Sequence, residues 1–343
     1  MGVPDDALAA DGILDCIGQT PLVRLRRYLD TDVQLFAKLE SANPGGSAKD
    51  RPAVQMLRTA LREGRLTTGS VVVESSSGNM GIGLAQACRF FGLSFICVVD
   101  PHAQPQNLQI MRALGATVVQ VTEPQQGSFL AARLNKVRQL LDEHPNSFWP
   151  NQYANLQNPM AHQLGTIREI DRAMKEQIDV LFVATSSTGT AQGCRDYLRQ
   201  QGRRTEVVAV DAVGSVLFGG KPGERLIPGL GAGREPELAI GQHFDRVVRV
   251  NDVNCVVGCR RAAAREAMLV GGSAGGVLEA VRSLEHQLVG KRCVAILHDS
   301  GTRYLDTVFS DEWVQMKLDV PPERIQQLSI MPPQSPEKPT NDE

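Results

Sequence analysis

Neither sign of charge prevails in this sequence. Its 36 Lys+Arg against 38 Asp+Glu leave a net charge of −2, which removes the electrostatic case for nucleic acid or an anionic membrane surface as a partner. Long apolar runs are missing too. Stretches such as 95–99 and 180–184 have strand length and fall far short of the ~20 residues that cross a bilayer. Residues 1–14 are acidic and carry neither the basic n-region nor the apolar core of a signal peptide, so a cytoplasmic enzyme is expected. No CxxC pair occurs among the seven cysteines at 16, 88, 97, 194, 255, 259 and 293. Cys255 and Cys259 could share a helix face, but two thiols without further ligands make a poor zinc site, and no metal is expected. Buried free thiols in a reducing compartment are the simpler account. What remains, 42% hydrophobic and 22% charged residues over 343 positions, is an ordinary globular composition, long enough for two modest domains or one large one.

Strands and helices alternate along the chain. Segments 33–39, 71–74, 95–100, 117–121, 180–184, 206–211, 246–250 and 293–298 read as strands. Helical stretches near 50–64, 81–91, 106–114, 128–143, 159–175, 191–200, 253–268 and 275–286 lie between them. Such alternation predicts α/β architecture with parallel sheets and crossover helices, and a ligand held at the carboxyl ends of the strands. The glycine-rich stretch 214–233 fits no element, and the Pro-, Gln- and Ser-rich tail from Pro321 is expected to be disordered.

One lysine stands out. Asn43-Pro44-Gly45-Gly46-Ser47-Ala48-Lys49-Asp50-Arg51-Pro52 is a glycine loop running into a helix, whose apolar positions Ala53, Met56, Leu57, Ala60 and Leu61 recur with helical period. A helix N-terminus disfavours cations, so Lys49 is oddly placed for a solvated lysine. The sharper alternative is a lysine made nucleophilic by its surroundings and able to form a Schiff base.

Three small-residue loops accompany it. Ser186-Ser187-Thr188-Gly189-Thr190 lies between a strand and a helix, where backbone N–H groups and hydroxyls can converge on an anion; it could equally be an ordinary polar turn. Ser75-Ser76-Ser77-Gly78-Asn79-Met80 is either an N-cap cluster or a second anion cradle. Gly271-Gly272-Ser273-Ala274-Gly275 taken alone could be a mere helix start. His162 and His298 invite acid–base roles, but no partner spacing supports them and both read as structural.

Residues 43–51 resemble the cofactor-lysine motif of the fold-type II pyridoxal-phosphate enzymes, the group of cysteine synthase and cystathionine β-synthase, and the likeness runs from about Gly18 to Trp313. The resemblance implies a tryptophan synthase β-like fold of two domains, each a mostly parallel sheet flanked by helices. Residues 1–47 with 150–320 would form the larger, cofactor-binding domain and 48–149 a smaller, mobile one, leaving 321–343 as the tail. It further implies pyridoxal 5'-phosphate on Lys49, its phosphate on Ser186, Ser187, Thr188, Gly189 and Thr190, its ring hydroxyl on Asn79 and its pyridine nitrogen facing Ser273. Ser76, Ser77, Gly78, Met80 and Gln152 would hold the substrate carboxylate. Two departures stand out: the family's phosphate loop has glycines where Ser186 and Thr188 stand, and its carboxylate loop has Pro-Thr where Ser75-Ser76 stand. Hydrogen-bond donors survive both changes.

The motifs Val98-Val99-Asp100-Pro101, Asn151-Gln152-Tyr153-Ala154-Asn155, Val210 to Ser215, Gly229 to Arg234 and Thr302-Arg303-Tyr304-Leu305-Asp306 resemble one branch of that family. Its members join O-phospho-L-serine to L-glutamate through a bound aminoacrylate, toward 2,3-diaminopropionate in siderophore and antibiotic pathways. The expected partners are therefore small amino acids and a second copy of the chain in a homodimer. Arg234, in a loop without helical pattern, is the expected cation for the glutamate carboxylates or the departing phosphate. The competing expectations are a synthase using a thiol nucleophile and a catalytically dead scaffold that keeps the fold.

Overall fold

The structure, a computed structural model, describes residues 9–125 and 127–330. Its strands form two sheets. β1 (Leu22–Arg24), β2 (Gln34–Leu39), β7 (Val180–Ala184), β8 (Glu206–Ala212), β9 (Arg246–Val250) and β10 (Arg292–Leu297) lie in the order β1-β2-β10-β7-β8-β9. The second sheet is β5 (Thr117–Gln120), β4 (Ser94–Val99), β3 (Val71–Ser75) and β6 (Ser147–Phe148), in that order. Every pairing is parallel except β1 with β2.

Parallel neighbours need crossovers, so helices cover both sheet faces and the central strands become near-continuous apolar runs. β7, Val-Leu-Phe-Val-Ala, is buried at every position. Its alternate side chains serve two separate cores. Val180 and Phe182 join Val256, Cys259 and Val277 of α8 (Asp252–Glu266) and α9 (Gly272–Ser283) on one face. Leu181 and Val183 meet Ile167 and Ile170 of α6 (Ile167–Ala173) and Leu198 of α7 (Gly189–Gln200) on the other. The smaller sheet repeats the scheme, with Val72 and Phe95 against α1 (Asp50–Arg62) and α2 (Asn79–Phe91), and Val73 and Val98 against Val137 and Leu140 of α4 (Phe129–Glu143). α8 and α9 approach so closely that a Cβ at Gly258 would lie 2.1 Å from the carbonyl oxygen of Gly275.

Three segments differ from expectation. The helix expected from 159 to 175 is α5 (Gln157–Ala161) and α6 joined by one π-helical turn, His162–Thr166. Buried His162 explains the interruption: its Nδ1 lies 3.0 Å from the Thr166 hydroxyl and its Nε2 3.2 Å from that of Thr190. The second difference is in the tail. α10 (Asp311–Leu318) leads to α11 (Pro322–Ile330), ordered where disorder was expected. Pro322 opens that helix with its φ preset, Ile325 is fully buried in the larger core, and Arg261 Nη1 donates to Ser329 O at 3.0 Å. The remainder of the expected disordered tail, 331–343, lies outside the described residues. Third, α2 begins at Asn79, two residues earlier than read, because the Ser76 hydroxyl accepts from Gly81 N at 3.0 Å and satisfies its first turn. The stretch 214–233 is irregular apart from a single 3-10 turn at Leu217–Gly219.

Candidate active site

Loops leaving the carboxyl ends of β2, β3, β7 and β10 converge on one cleft of about 420 Å³. The lysine loop follows β2. Gly46 turns at φ +83°, Gly46 N donates to Asn43 O at 2.7 Å, and Ala48 N donates to His298 O at 2.8 Å, fixing the loop to the end of β10. Two residues beyond Lys49, Arg51 anchors the start of α1 in a buried charge network. Its Nε lies 2.7 Å from Glu40 and its Nη1 2.7 Å from Glu169, which also accepts from Lys38 Nζ at 2.6 Å. Glu40 takes further donors from Thr20 Oγ1 at 2.8 Å and Asn43 Nδ2 at 3.0 Å. Two cations face two carboxylates, and multiple hydrogen bonds meet the cost of burying them. Arg51 and Lys38 hold the Glu169 carboxyl down to about 2 against the pull of partial burial.

Lys49 stands at the N-cap of α1 and lines the cleft. Burial lowers its amine to about 8, with the Asp299 carboxylate pulling the other way. An amine so placed keeps a neutral fraction of roughly a tenth to a fifth near physiological pH, far more than an ordinary lysine, and the neutral form is the one that a nucleophile or base requires.

Ser186, Ser187, Thr188, Gly189 and Thr190 line the inner end of the cleft with Lys49 and Ser273. They surround the N-terminus of α7, whose unpaired N–H groups favour an anion. Thr188 adopts the left-handed conformation at φ +65°, and its buried hydroxyl has no hydrogen-bond partner among the described residues. Gly189 presses on Asn158, where a Cβ would fall 2.3 Å from Oδ1. An orphaned hydroxyl beside a helix N-terminus fits a phosphate group, which supplies the missing acceptor.

The opposite lip is the loop after β3. Ser75, Ser76, Ser77, Gly78, Asn79 and Met80 all line the cleft, as does Gln152. The buried Ser75 hydroxyl has no hydrogen-bond partner among the described residues, while the Ser76 hydroxyl accepts from Gly81 N at 3.0 Å in the first turn of α2, whose N-cap is Gly78. The side-chain amide of Asn79 is held from both ends. Its Oδ1 accepts from Arg303 Nη1, which also reaches Gly45 O through Nη2, and its Nδ2 donates to Asp299 at 2.8 Å. One N–H of that amide stays uncommitted. Tyr304 OH donates to the same Asp299 oxygen at 2.6 Å. Glu74, at the end of β3, accepts from Trp149 Nε1 at 3.0 Å, Ser75 N at 2.8 Å and Gln152 N at 3.3 Å. It thereby ties the crossover that delivers Gln152 and Tyr153 to the smaller sheet.

Arg234 is not in this assembly. It is exposed and absent from the cleft wall. The guanidinium that the same glycine-rich stretch does supply to the cleft is that of Arg225, and α4 supplies Arg133. Asp299 and Arg303 were also missed. Arg303 stood inside a noted motif, yet nothing in its spacing pointed at Asn79. His298, read from the sequence as structural, lines the inner end of the cleft, and burial drives its imidazole down to about 3, keeping it neutral.

A family model described as pyridoxal-phosphate dependent enzyme matches residues 13–299. The chain belongs to that family. Its orphaned Thr188 hydroxyl, its helix N-terminus and its lysine of lowered basicity are the donor set that pyridoxal phosphate requires. N-(2-amino-2-carboxyethyl)-L-glutamate synthase of Ralstonia nicotianae is 46% identical over 310 residues, covering 90% of this chain and 92% of the relative. The enzyme of that name from Cupriavidus metallidurans is 44% identical over 313 residues, with 90% and 92% covered. Among solved structures, the O-acetylserine dependent cystathionine beta-synthase of Helicobacter pylori is similar, with a TM-score of 0.81 at 29% identity and coverage of 88% of this chain and 98% of that one. No helix among the described residues is long and apolar enough to cross a membrane.

Proposed function

We propose that this pyridoxal-phosphate enzyme catalyses a β-replacement: O-phospho-L-serine and L-glutamate give N-(2-amino-2-carboxyethyl)-L-glutamate and phosphate, a step toward 2,3-diaminopropionate. The observation that carries this choice is the presence of two guanidinium groups, Arg133 and Arg225, in the cleft that holds Lys49. A doubly charged donor and an acidic nucleophile need cations beyond the cofactor's own cradle, whereas sulfide and homocysteine make no such demand on the nucleophile side. The two relatives above, similar over nine-tenths of the chain, carry the name of this activity.

In this reading Ser186, Ser187, Thr188, Gly189 and Thr190 hold the cofactor phosphate, Asn79 donates its free N–H to the ring hydroxyl, and Ser273 faces the ring nitrogen. The bound cofactor delocalises the electron pair released at Cα. Ser273 presents a neutral hydroxyl, which cannot hold the ring nitrogen protonated as a carboxylate would; this disfavours transamination. Ser76, Ser77, Gly78, Met80 and Gln152 hold the donor carboxylate and so orient the Cα–H bond toward Lys49. Lys49 Nζ takes the Cα proton, the Cβ–O bond breaks with phosphate leaving, the glutamate amine forms the new bond to Cβ, and Lys49 returns the proton to Cα. The smaller sheet, carrying the carboxylate loop, would move against the larger one on binding. Seven unpaired cysteines suit a reducing compartment, and we place the enzyme in the cytoplasm as a homodimer, a state that light scattering on a sizing column tests.

The assay is direct. Loaded enzyme is given O-phospho-L-serine, O-acetyl-L-serine or L-serine with L-glutamate, sulfide or homocysteine, and products are read by mass spectrometry. Glutamate-dependent release of phosphate with the N-linked product is expected. Turnover with sulfide or homocysteine and indifference to glutamate would make it a thiol-using synthase instead.

A further inference from the structure

The charges lining the cleft do not balance. Lys49 faces Asp299, and Arg133 Nε lies 3.2 Å from Asp100. Arg225 makes no ion pair among the described residues; its one hydrogen bond runs from Nη1 to Leu230 O at 3.1 Å, and its buried Nε has no acceptor. Asp211 is close enough to feel its field, but that carboxylate faces Arg249 at 3.6 Å. A half-buried guanidinium without an anion is costly and is kept where a ligand supplies one.

The local backbone is shaped to hold that side chain. Gly231 turns at φ +73°, and a Cβ there would lie 3.1 Å from Arg225 Nη1; a Cβ at Gly233 would lie 3.2 Å from Nη2. The guanidinium thus rests on a ledge of glycines, its direction set while its Nε goes unused. Its neighbours Glu224 and Pro228 are exposed, which puts Arg225 on the rim of the larger sheet's wall. The carboxylate loop and Arg133 belong to the opposite wall. In the β-replacement reading the donor sits between Lys49 and that opposite wall, which leaves the rim beside Arg225 for the second substrate.

We propose that Arg225 is the specificity-determining group for the second substrate, binding a carboxylate of the entering acidic amine and so selecting a dicarboxylic amino acid over neutral amines and thiols. This rests on the β-replacement reading above. A charge-assisted pair of this kind is worth roughly tenfold to a hundredfold in affinity.

The test uses loaded full-length enzyme and its Arg225→Gln and Arg225→Lys variants, with each substrate varied in turn. Glutarate, which has both carboxylates but no amine, serves as a non-reacting probe of the same subsite. Arg225→Gln is expected to raise KM for L-glutamate and Ki for glutarate by about tenfold to a hundredfold, with KM for the donor and kcat within threefold. Its preference for L-glutamate over L-glutamine falls in proportion, and Arg225→Lys recovers part of both. A rise confined to the donor's KM would assign Arg225 to the leaving phosphate and overturn the proposal, as would no change in either. If the unaltered enzyme ignores glutamate and turns over a thiol, the β-replacement reading fails first, and that result is separately visible.

Discussion

Two loops line this cleft and are built on opposite principles. The lysine loop, 43–51, is held from every side. Glu40 is fully buried, Arg51 nearly so, and Arg51, Glu40, Glu169 and Lys38 meet in ion pairs of 2.6–2.7 Å. The rim loop, 214–234, has positive φ at Gly214, Gly219, Gly229 and Gly231 and carries an arginine with no carboxylate partner among the described residues. Chemistry at Cα needs one amine in one place, and a saturated network supplies that. Choice of a second substrate needs a group whose bonding is incomplete until the right partner arrives.

Breaking the rigid side should cost most. Lys49→Ala is expected to lower kcat by about a thousandfold or more, the scale of losing a positioned base, and to abolish the cofactor–protein bond that borohydride reduction would otherwise preserve for mass spectrometry. Next comes Arg51→Ala, which strands Glu40 without its cation. Removing one partner of a buried pair costs about 3–5 kcal/mol, a large share of a domain's total stability. Chemical denaturation should show that loss, and adding Glu40→Gln should restore part of it. Arg225→Gln, by contrast, should leave stability within about 0.5 kcal/mol; a large loss there would erase the distinction between the loops.

Thr188→Val keeps the shape of the phosphate loop and removes its orphaned hydroxyl. Equilibrium dialysis should find cofactor affinity down about tenfold, the worth of one charge-assisted hydrogen bond. Unchanged affinity would mean that the backbone N–H groups and the remaining hydroxyls of the loop hold the phosphate without Thr188. A pH effect is expected at the joint between the sheets. Burial pushes the Glu74 carboxyl from 4.5 up to about 7, its hydrogen-bond donors pulling partly back. The folded protein therefore keeps a proton that the unfolded chain releases, so this group's contribution is full below about pH 4.5 and is lost as pH rises to about 7. Burial does the same to Asp50, also raised to about 7. Buried His298 works in the opposite sense up to about pH 6.5, so the Glu74 contribution is read as a difference: across that window stability should fall less steeply, or rise more steeply, with pH in Glu74→Gln than in the unaltered protein.

Much of this molecule was legible from periodicity. The alternating elements, the lysine loop and the three small-residue loops are local patterns, and local patterns leave marks in a sequence. Asn79, Ser187 and Gln152 reach one cleft because each follows the carboxyl end of a strand or a crossover into one. What could not be read was pairing over distance. Arg303 meets Asn79 across 224 positions, and Arg51 meets Glu169 across 118; no spacing rule reports such contacts. α11 was misjudged for a related reason. Its composition suggests solvent, yet Ile325 finds a core and Arg261 reaches its carbonyl at Ser329.

Arg234 is the instructive contrast, and the smallest expected effect. Both arginines of the glycine-rich stretch carry the same charge and the same five donors, and nothing in composition separates them. The backbone does. Gly231 and Gly233 leave room for the guanidinium of Arg225 to lie close against them, while Arg234 stands exposed outside the cleft wall. A charge on that surface is screened beyond about 8–10 Å by physiological salt. Arg234→Ala should therefore leave KM for the donor and for L-glutamate within twofold at 0.15 M salt, with a slightly larger drop in kcat/KM at low ionic strength, where its long-range pull on acidic substrates is least screened. A tenfold change at physiological salt would place Arg234 in direct contact with substrate, and would require the rim loop to fold inward on binding.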